Sequence, residues 1–581
     1  MLERLTQRFP VLTALLLYTA ATGLAFWRFW GGAFLINDFS DAKTGYAFRK
    51  FAADYLRAHH DVPQWDPYIF GGLPFAAGHG DAFYPTALLR LMLPVDVGIS
   101  LGFLIHIVLA GLFTFRFLRA LRMSWGPAFL GGAAYLFTGQ VVSMVSPGHD
   151  GKLYVSALLP LAFMFLYQAV TTGSWRRYLC FGATIGFCLL TPHYQMTYYL
   201  LMGAGFFWAY LVFLSGQRPS GHRPVTALAL FAGAVLLGFA LASVQVLPFY
   251  EYLAFSPRGA TDSSSSGWEY ATSWAMPPEE LIGTIWPAFA GLLESYWGRN
   301  PFKLHSEYIG VTVLILATFG FRLDGQRRLA WFFAFLAAFA TIFSFGGHTP
   351  FYYIPYYLLP GIKLTRAAGM MFFLTAFSAA VLAALGAEAL TQPARVTGPK
   401  PALWWVGAMA GAAVLAAAGG WQPIMQTFAQ PERFGAVAAN YPAFQLDALR
   451  VLLVAAVMAA LCWRPWAPSL WGLAAGGVIL LDLWSVERRF IRWSPPAAQT
   501  FAPDAIVKAL KDEPAPFRVL PLGVYHDTYL MTQGIRSVLG YHGNEVHRYD
   551  DLLGGKNLWQ NAGSQNLWHL LAIKYVVVLQ K

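Results

Sequence analysis

Two carboxylates three residues apart, Asp38 and Asp41, stand in GGAFLINDFSD (31–41), just after an apolar run that begins at Pro10. On a helical turn they share one face. A carboxylate at the edge of hydrocarbon has two readings. It marks where the apolar layer ends, or, partly desolvated, it has its proton affinity raised and serves as a general base. A second ionisable set crowds the connection SPGHDGK (146–152), a turn that needs only Pro and Gly. There His149 and Lys152 suit an anionic phosphate, and Asp150 offers a second acid. Polar groups also gather in TPHYQMTYY (191–199), KLHSEYIG (303–310) and KLTRAAGMMFF (363–373). Arg366 opens an apolar run, so its guanidinium faces the boundary where a lipid phosphate would lie. Glu307, with His305 beside it, holds the equivalent place two runs earlier. Simpler roles compete: snorkelling for Arg366 and an interhelical hydrogen bond for His193.

Other chemistries find no support. The sequence has no GxxxxGK[ST], no GxGxxG between strand and helix, no HExxH and no CxxC pair, which argues against ATP hydrolysis and dinucleotide chemistry. The groups His59, His60, Asp61 and His79, Asp81 match no ligand spacing, so no metal is expected. Cys180, Cys188 and Cys462 all fall in apolar stretches and read as small buried hydrophobes.

The elements that must hold these residues are membrane spans. The 581 residues are 57% hydrophobic and 12% charged, about half the charge of a soluble protein. Apolar windows fall near 10–30, 98–118, 126–145, 153–171, 178–192, 194–214, 225–248, 308–321, 329–345, 367–390, 402–420, 449–463 and 469–486. This predicts a polytopic α-helical membrane protein of about thirteen spans, the first a retained anchor. A weaker apolar piece near 281–293 reads as re-entrant or interfacial. Net charge is +11. The Lys and Arg lie in alternate short loops, which the positive-inside rule assigns to the cytoplasm together with the N-terminus. Nucleic acid is therefore not the expected partner. The opposite loops, 31–97, 146–152, 249–307, 346–366 and 421–448, are long and polar. The sequence thus divides into a transmembrane module (1–486), whose main exterior loops are 31–97 and 249–307, and an exterior C-terminal α+β region (487–581) with strand-like FRVLPL and YVVVL. The segment SPRGATDSSSSG (256–267) reads as a flexible loop and contains a further cation, Arg258.

In order along nearly the whole chain, NDFSD, WDPYIFGGLPF, GHDGK, EYLAFSPRG with YATSWAMPPEEL, and GYHGNEVHRYDDLL followed by NLWHLLAIKYVVV resemble the YfhO-like bacterial membrane proteins, grouped with the GT-C glycosyltransferases. The resemblance implies an inverting transferase in the bacterial cytoplasmic (inner) membrane. It would move a sugar from a polyprenyl-phosphate donor to a cell-envelope acceptor, with no other cofactor. The superfamily's catalytic acid lies in the first exterior loop, which matches Asp38 best and Asp41 second. Family members often carry Asp-Glu there, where this chain has Asn37-Asp38. Lys152, Arg366, Arg258 and His149 would then hold the donor phosphate. Glu307, His305, His193, Trp65, Tyr541 and His542 are candidates for the sugar or acceptor. Two other classes fit less well. A lipid or polysaccharide transporter would carry charge deep in its spans, where His106 and Gln245 are the main polar residues. A glycan-binding scaffold would act through the tail alone.

Overall fold

The computed structural model describes residues 2–36, 40–78, 81–191, 193–216, 223–257, 267–392, 400–463, 467–525, 528–555 and 558–579. Asp38 and Arg258 lie outside the described residues.

Each apolar window holds a helix. In chain order the helices used below are α1 (Pro10–Ala25), α2 (Asp41–His59), α3 (Val95–Ala120), α4 (Trp125–Leu136), α5 (Asp150–Thr172), α6 (Trp175–Leu189), α7 (Tyr194–Leu214), α8 (Pro224–Leu241), α9 (Ser243–Leu253), α10 (Val311–Phe319), α11 (Arg327–Ser344), α12 (Phe372–Thr391), α13 (Lys400–Ala417), α14 (Phe434–Trp463) and α15 (Pro468–Glu487). Among the described residues, nine helices are long and apolar enough to cross a membrane by length and composition. The chain is a multi-pass membrane protein on that ground. The other four windows hold shorter helices, α1, α4, α6 and α10. All twelve residues of α4 are buried. Tyr18 of α1 donates to the Phe129 carbonyl at 2.7 Å and stacks on the Phe129 ring, which locks α1 onto α4.

One segment differs from the sequence reading. The polar loop expected over 421–448 is largely helical, because α14 runs unbroken for 30 residues from Phe434 with Pro442 inside it. One internal proline removes a single hydrogen bond, and a helix this long has many more to hold it. The weak apolar piece near 281–293 begins within a short 3₁₀ turn, Pro278–Thr284.

α2 is amphipathic and is not a span. Ser40 caps it, its hydroxyl accepting from the Ala42 amide at 3.1 Å, and it buries Ala42, Tyr46, Ala47, Phe48 and Ala53. The rest of the first long loop includes a tight hairpin, β1 (Trp65–Asp66) against β2 (Leu73–Pro74).

The C-terminal segment contributes β3 (Arg518–Leu522), which pairs in parallel with β4 (Ile573–Val578), Leu520 opposite Val576. Parallel strands need a long crossover, and short helices within residues 523–572 supply it. This segment packs directly on the first loop. Thr528 donates to the Thr44 carbonyl at 2.9 Å, the Ser537 amide to the Tyr68 carbonyl at 2.8 Å, and Arg518 to the Gly71 carbonyl at 3.0 Å. Tyr46 stacks on Phe501, and Phe34 bridges to Ser494.

Candidate functional site

Four parts of the chain meet around a cavity of about 720 Å³. The first three turns of α2 bring Asp41, Gly45 and Arg49. The turn into α5 brings Gly148, His149, Asp150 and Lys152. The starts of α7 and α12, with α9 between them in sequence, bring His193, Gln195, Tyr250 and Arg366. The C-terminal segment closes the wall with Tyr541, His542 and Asn544.

The 146–152 turn fits against α2 because residue 148 is glycine. Gly148 has φ +76°, and a Cβ there would lie 2.2 Å from the Ala42 nitrogen and 2.7 Å from the Ser40 hydroxyl. The Pro147 carbonyl accepts from the Asp41 amide at 2.8 Å. These contacts place His149 Nε2 3.3 Å from Asp41 Oδ2, and Lys152 Nζ 3.2 Å from His149 Nδ1. An ammonium only donates, so Nδ1 accepts and the ring proton sits on Nε2, directed at Asp41. Burial lowers the proton affinity of His149, the Lys152 charge lowers it further, and its pKa falls to about 4. The imidazole is therefore neutral at pH 7. Burial pushes the Asp41 carboxyl up, but the His149 bond and the charges of Lys152 and Arg366 outweigh that and hold it below its ordinary value. Its side chain is 61% exposed within the cleft. Asp41 is thus an ionised carboxylate open to a ligand.

Arg366 is set from behind. The backbone at Ala367 takes the left-handed region, φ 55°, and its amide donates to the Ser273 carbonyl at 2.9 Å. Non-glycine residues adopt this conformation only where the surroundings enforce it. The guanidinium lies 5.8 Å from the Tyr270 ring, and the Arg366 carbonyl accepts from Gln195 at 2.6 Å.

Asp150 is tied into a buried network. Its carboxylate pairs with Arg49 and accepts from the Gly151 amide. Arg49 also binds Asp81 at 2.9 Å, and Arg90 binds Asp81 at 3.1 Å. Two acids and two guanidinium groups leave no net charge. Burial raises the Asp81 proton affinity, but Arg90 and Arg49 outweigh it and keep the carboxyl low. With this network neutral, the cavity keeps, among the described residues, the carboxylate of Asp41 and the cations Lys152 and Arg366.

Of the sequence candidates, the cavity brings together Asp41, Asp150, His149, Lys152, Arg366, His193, Tyr541 and His542. Glu307 and His305 do not line it. They join Lys303 and Glu280 in a neighbouring cluster, with Glu307 2.5 Å from Lys303 and 3.1 Å from His305. The Ser306 amide donates to the Ser143 hydroxyl at 2.9 Å, which anchors this segment beside the 146–152 turn. Lys303 and His305 together hold the Glu307 carboxyl down to about 2 against its burial. Trp65 does not line the cavity either; it is 54% exposed and folds over Gly72 in the β1–β2 hairpin. Arg49, Gln195 and Asn544 were not legible as site residues. Among the described residues, no group of three or more His, Cys, Asp or Glu is arranged to hold a metal ion.

No family model matches the chain, and no curated protein matches it. Among solved structures it is similar to ArnT from Cupriavidus metallidurans bound to undecaprenyl phosphate, with 11% identity and a TM-score of 0.47 over 92% of this chain and 87% of that one. It is also similar to the apo state of that protein, with 12% identity and a TM-score of 0.46 over 87% and 82%. The arabinosyltransferase EmbB from Mycobacterium smegmatis follows with 14% identity and a TM-score of 0.35, over 78% of this chain and 40% of that one.

Proposed function

We propose that the protein is an inverting membrane glycosyltransferase of the GT-C, YfhO-like kind. On this reading it moves a sugar from a polyprenyl-phosphate carrier to a cell-envelope acceptor on the exterior face of the bacterial inner membrane. The observation that carries the reading is a cavity in which, among the described residues, the Asp41 carboxylate lies with Lys152 and Arg366 beside a charge-balanced Asp–Arg network, bordered by the apolar and aromatic residues of α7 and α9.

The chemistry follows from those charges. The acceptor hydroxyl gives its proton to Asp41 as its oxygen attacks the anomeric carbon. The bond from that carbon to the carrier phosphate breaks, and the electron pair leaves with the phosphate. Lys152 and Arg366 stabilise the departing charge. His149, neutral and donating to Asp41, fixes the orientation of the base. One base with no covalent intermediate inverts the anomeric centre. Arg258 and Asp38 remain second candidates for phosphate and proton. Asp150, held by Arg49, serves to position the turn.

The test is transfer by the purified protein in nanodiscs from undecaprenyl-phosphate sugars to a cell-envelope fraction. Asp41→Asn is expected to lower the rate by about 10²–10⁴-fold while leaving undecaprenyl phosphate binding intact. Wild-type rates in Asp41→Asn, with loss in Asp38→Asn, would move the base to Asp38. Wild-type rates in the double variant would remove the carboxylate mechanism.

A further inference from the structure

The C-terminal wall of the cavity hangs on the β1–β2 hairpin. The Ser537 amide donates to the Tyr68 carbonyl at 2.8 Å, the Gly71 amide donates to the Ser537 carbonyl at 3.2 Å, and Arg518 donates to the Gly71 carbonyl at 3.0 Å. A Cβ at Gly540 would lie 2.9 Å from Ile69 Cβ. The chain therefore runs tight against the hairpin turn just before it brings Tyr541 and His542 to the cavity. At the base of that turn stands Asp66, fully buried. Its Oδ1 accepts from the Tyr68 amide at 2.8 Å, and its Oδ2 has no hydrogen-bond partner among the described residues.

An Asp before Pro closes a turn in this way, and Asn would close it as well. The second oxygen sets this residue apart. As a carboxylate it is a buried charge without a counter-ion; as a carboxylic acid it is a buried polar group, which costs far less. α2 presents Phe48 and Phe51 to the hairpin, α9 presents Tyr252, and the C-terminal segment presents Arg518 and Tyr549. The ionisable groups among these are engaged elsewhere. Arg518 donates to the Gly71 and Leu571 carbonyls, the Tyr549 hydroxyl to the Val538 carbonyl, and the Tyr252 hydroxyl to the Asn544 carbonyl. Burial pushes the Asp66 carboxyl up to about 7 against the pull of the Tyr68 bond, and among the described residues no charged group adds to either.

We infer that Asp66, as a neutral carboxylic acid, is a positioning residue that seats the C-terminal wall of the cavity on the first loop, and that loss of its proton unseats that wall. The seat belongs to the wall itself and holds whatever the cavity binds. Unseating brings Asp66 to water, where its ordinary value is 3.8. Between about 4 and 7 the seated form keeps a proton that the unseated form releases. Unseating therefore rises with pH across that window, by up to about tenfold per unit, and levels off above it.

Hydrogen exchange of the full-length protein in nanodiscs at pH 5, 6, 7 and 8, corrected for intrinsic exchange, tests this. The stretches to follow are 64–75 and 535–544, with α12 as the control. In wild type both stretches are expected to lose protection about 10–100-fold from pH 5 to pH 8, while α12 stays unchanged. Asp66→Asn keeps the acceptor for the Tyr68 amide and has no proton to lose, so its protection is expected to stay level across the series. Asp66→Ser, which can also accept from that amide, serves where Asp66→Asn does not fold. The inference is overturned if wild-type protection of the two stretches is flat or rises with pH. It is overturned equally if a folded Asp66→Asn or Asp66→Ser loses protection with the wild-type slope. Where neither variant folds, the wild-type series decides: loss confined to the two stretches supports the seat, and loss shared equally by α12 overturns it.

Discussion

His149 governs what Asp41 can do, and pH reads that control. The imidazole has an ordinary pKa near 6.5 and a folded one of about 4. Between those values the unfolded chain binds more protons than the folded one, so stability falls as pH drops from 6.5 to 4. The loss assignable to His149 is on the order of 1–3 kcal/mol, reduced by water that reaches the ring through the cleft. Thermal melting of wild type and His149→Gln across pH 4–7 should show the variant with the shallower slope. Asp41, depressed below its ordinary value, stays ionised through that same range. His149, Lys152 and Arg366 were legible because a short turn or a helix mouth has no structural need of such groups. Arg49 was not, because one more cation on a charged amphipathic helix reads as solvated surface. Glu307 and His305 carried the same signal as His149, yet local sequence cannot say which side of a packed turn a residue faces.

The decisive elements are α2 and the 146–152 turn, joined by close backbone contact and by buried charge. Gly148→Ala meets both the left-handed backbone and the Ala42 nitrogen. It is expected to destabilise by at least about 1–2 kcal/mol and to lose transfer through the His149–Asp41 geometry. A lowered melting temperature together with lost activity checks this; wild-type values in both would refute it. Arg49→Met strands Asp150 and leaves Asp81 with Arg90 alone. Breaking a buried pair from one side costs about 3–5 kcal/mol, so this variant should unfold at clearly lower temperature or denaturant. Arg49→Lys, which keeps the charge and loses the planar fork, should fall between. The apolar windows located the helices well because an unbroken apolar run in a membrane must satisfy its own backbone hydrogen bonds, which a helix does. The reading failed where polarity and helicity part company, as in α14, which begins fifteen residues before its apolar window.

At the scale of the molecule, the sequence announced a membrane bundle and a strand-bearing tail, and both appear. It did not announce that the tail would seat on α2, because the contacts joining them link residues hundreds of positions apart, such as Thr44 with Thr528 and Tyr252 with Asn544. Deleting residues 490–581 removes one wall of the cavity along with the Phe34–Ser494 bridge. The truncated protein is expected to reach the membrane, lose transfer and expose α2 to protease. Transfer at wild-type level would show that the wall is dispensable. The same arrangement bears on how the protein is made. A chain still on the ribosome already displays Asp41, His149, Lys152 and Arg366 long before residues 541–544 exist. The wall formed by Tyr541, His542 and Asn544 can therefore be added only after every one of those charged groups has been made.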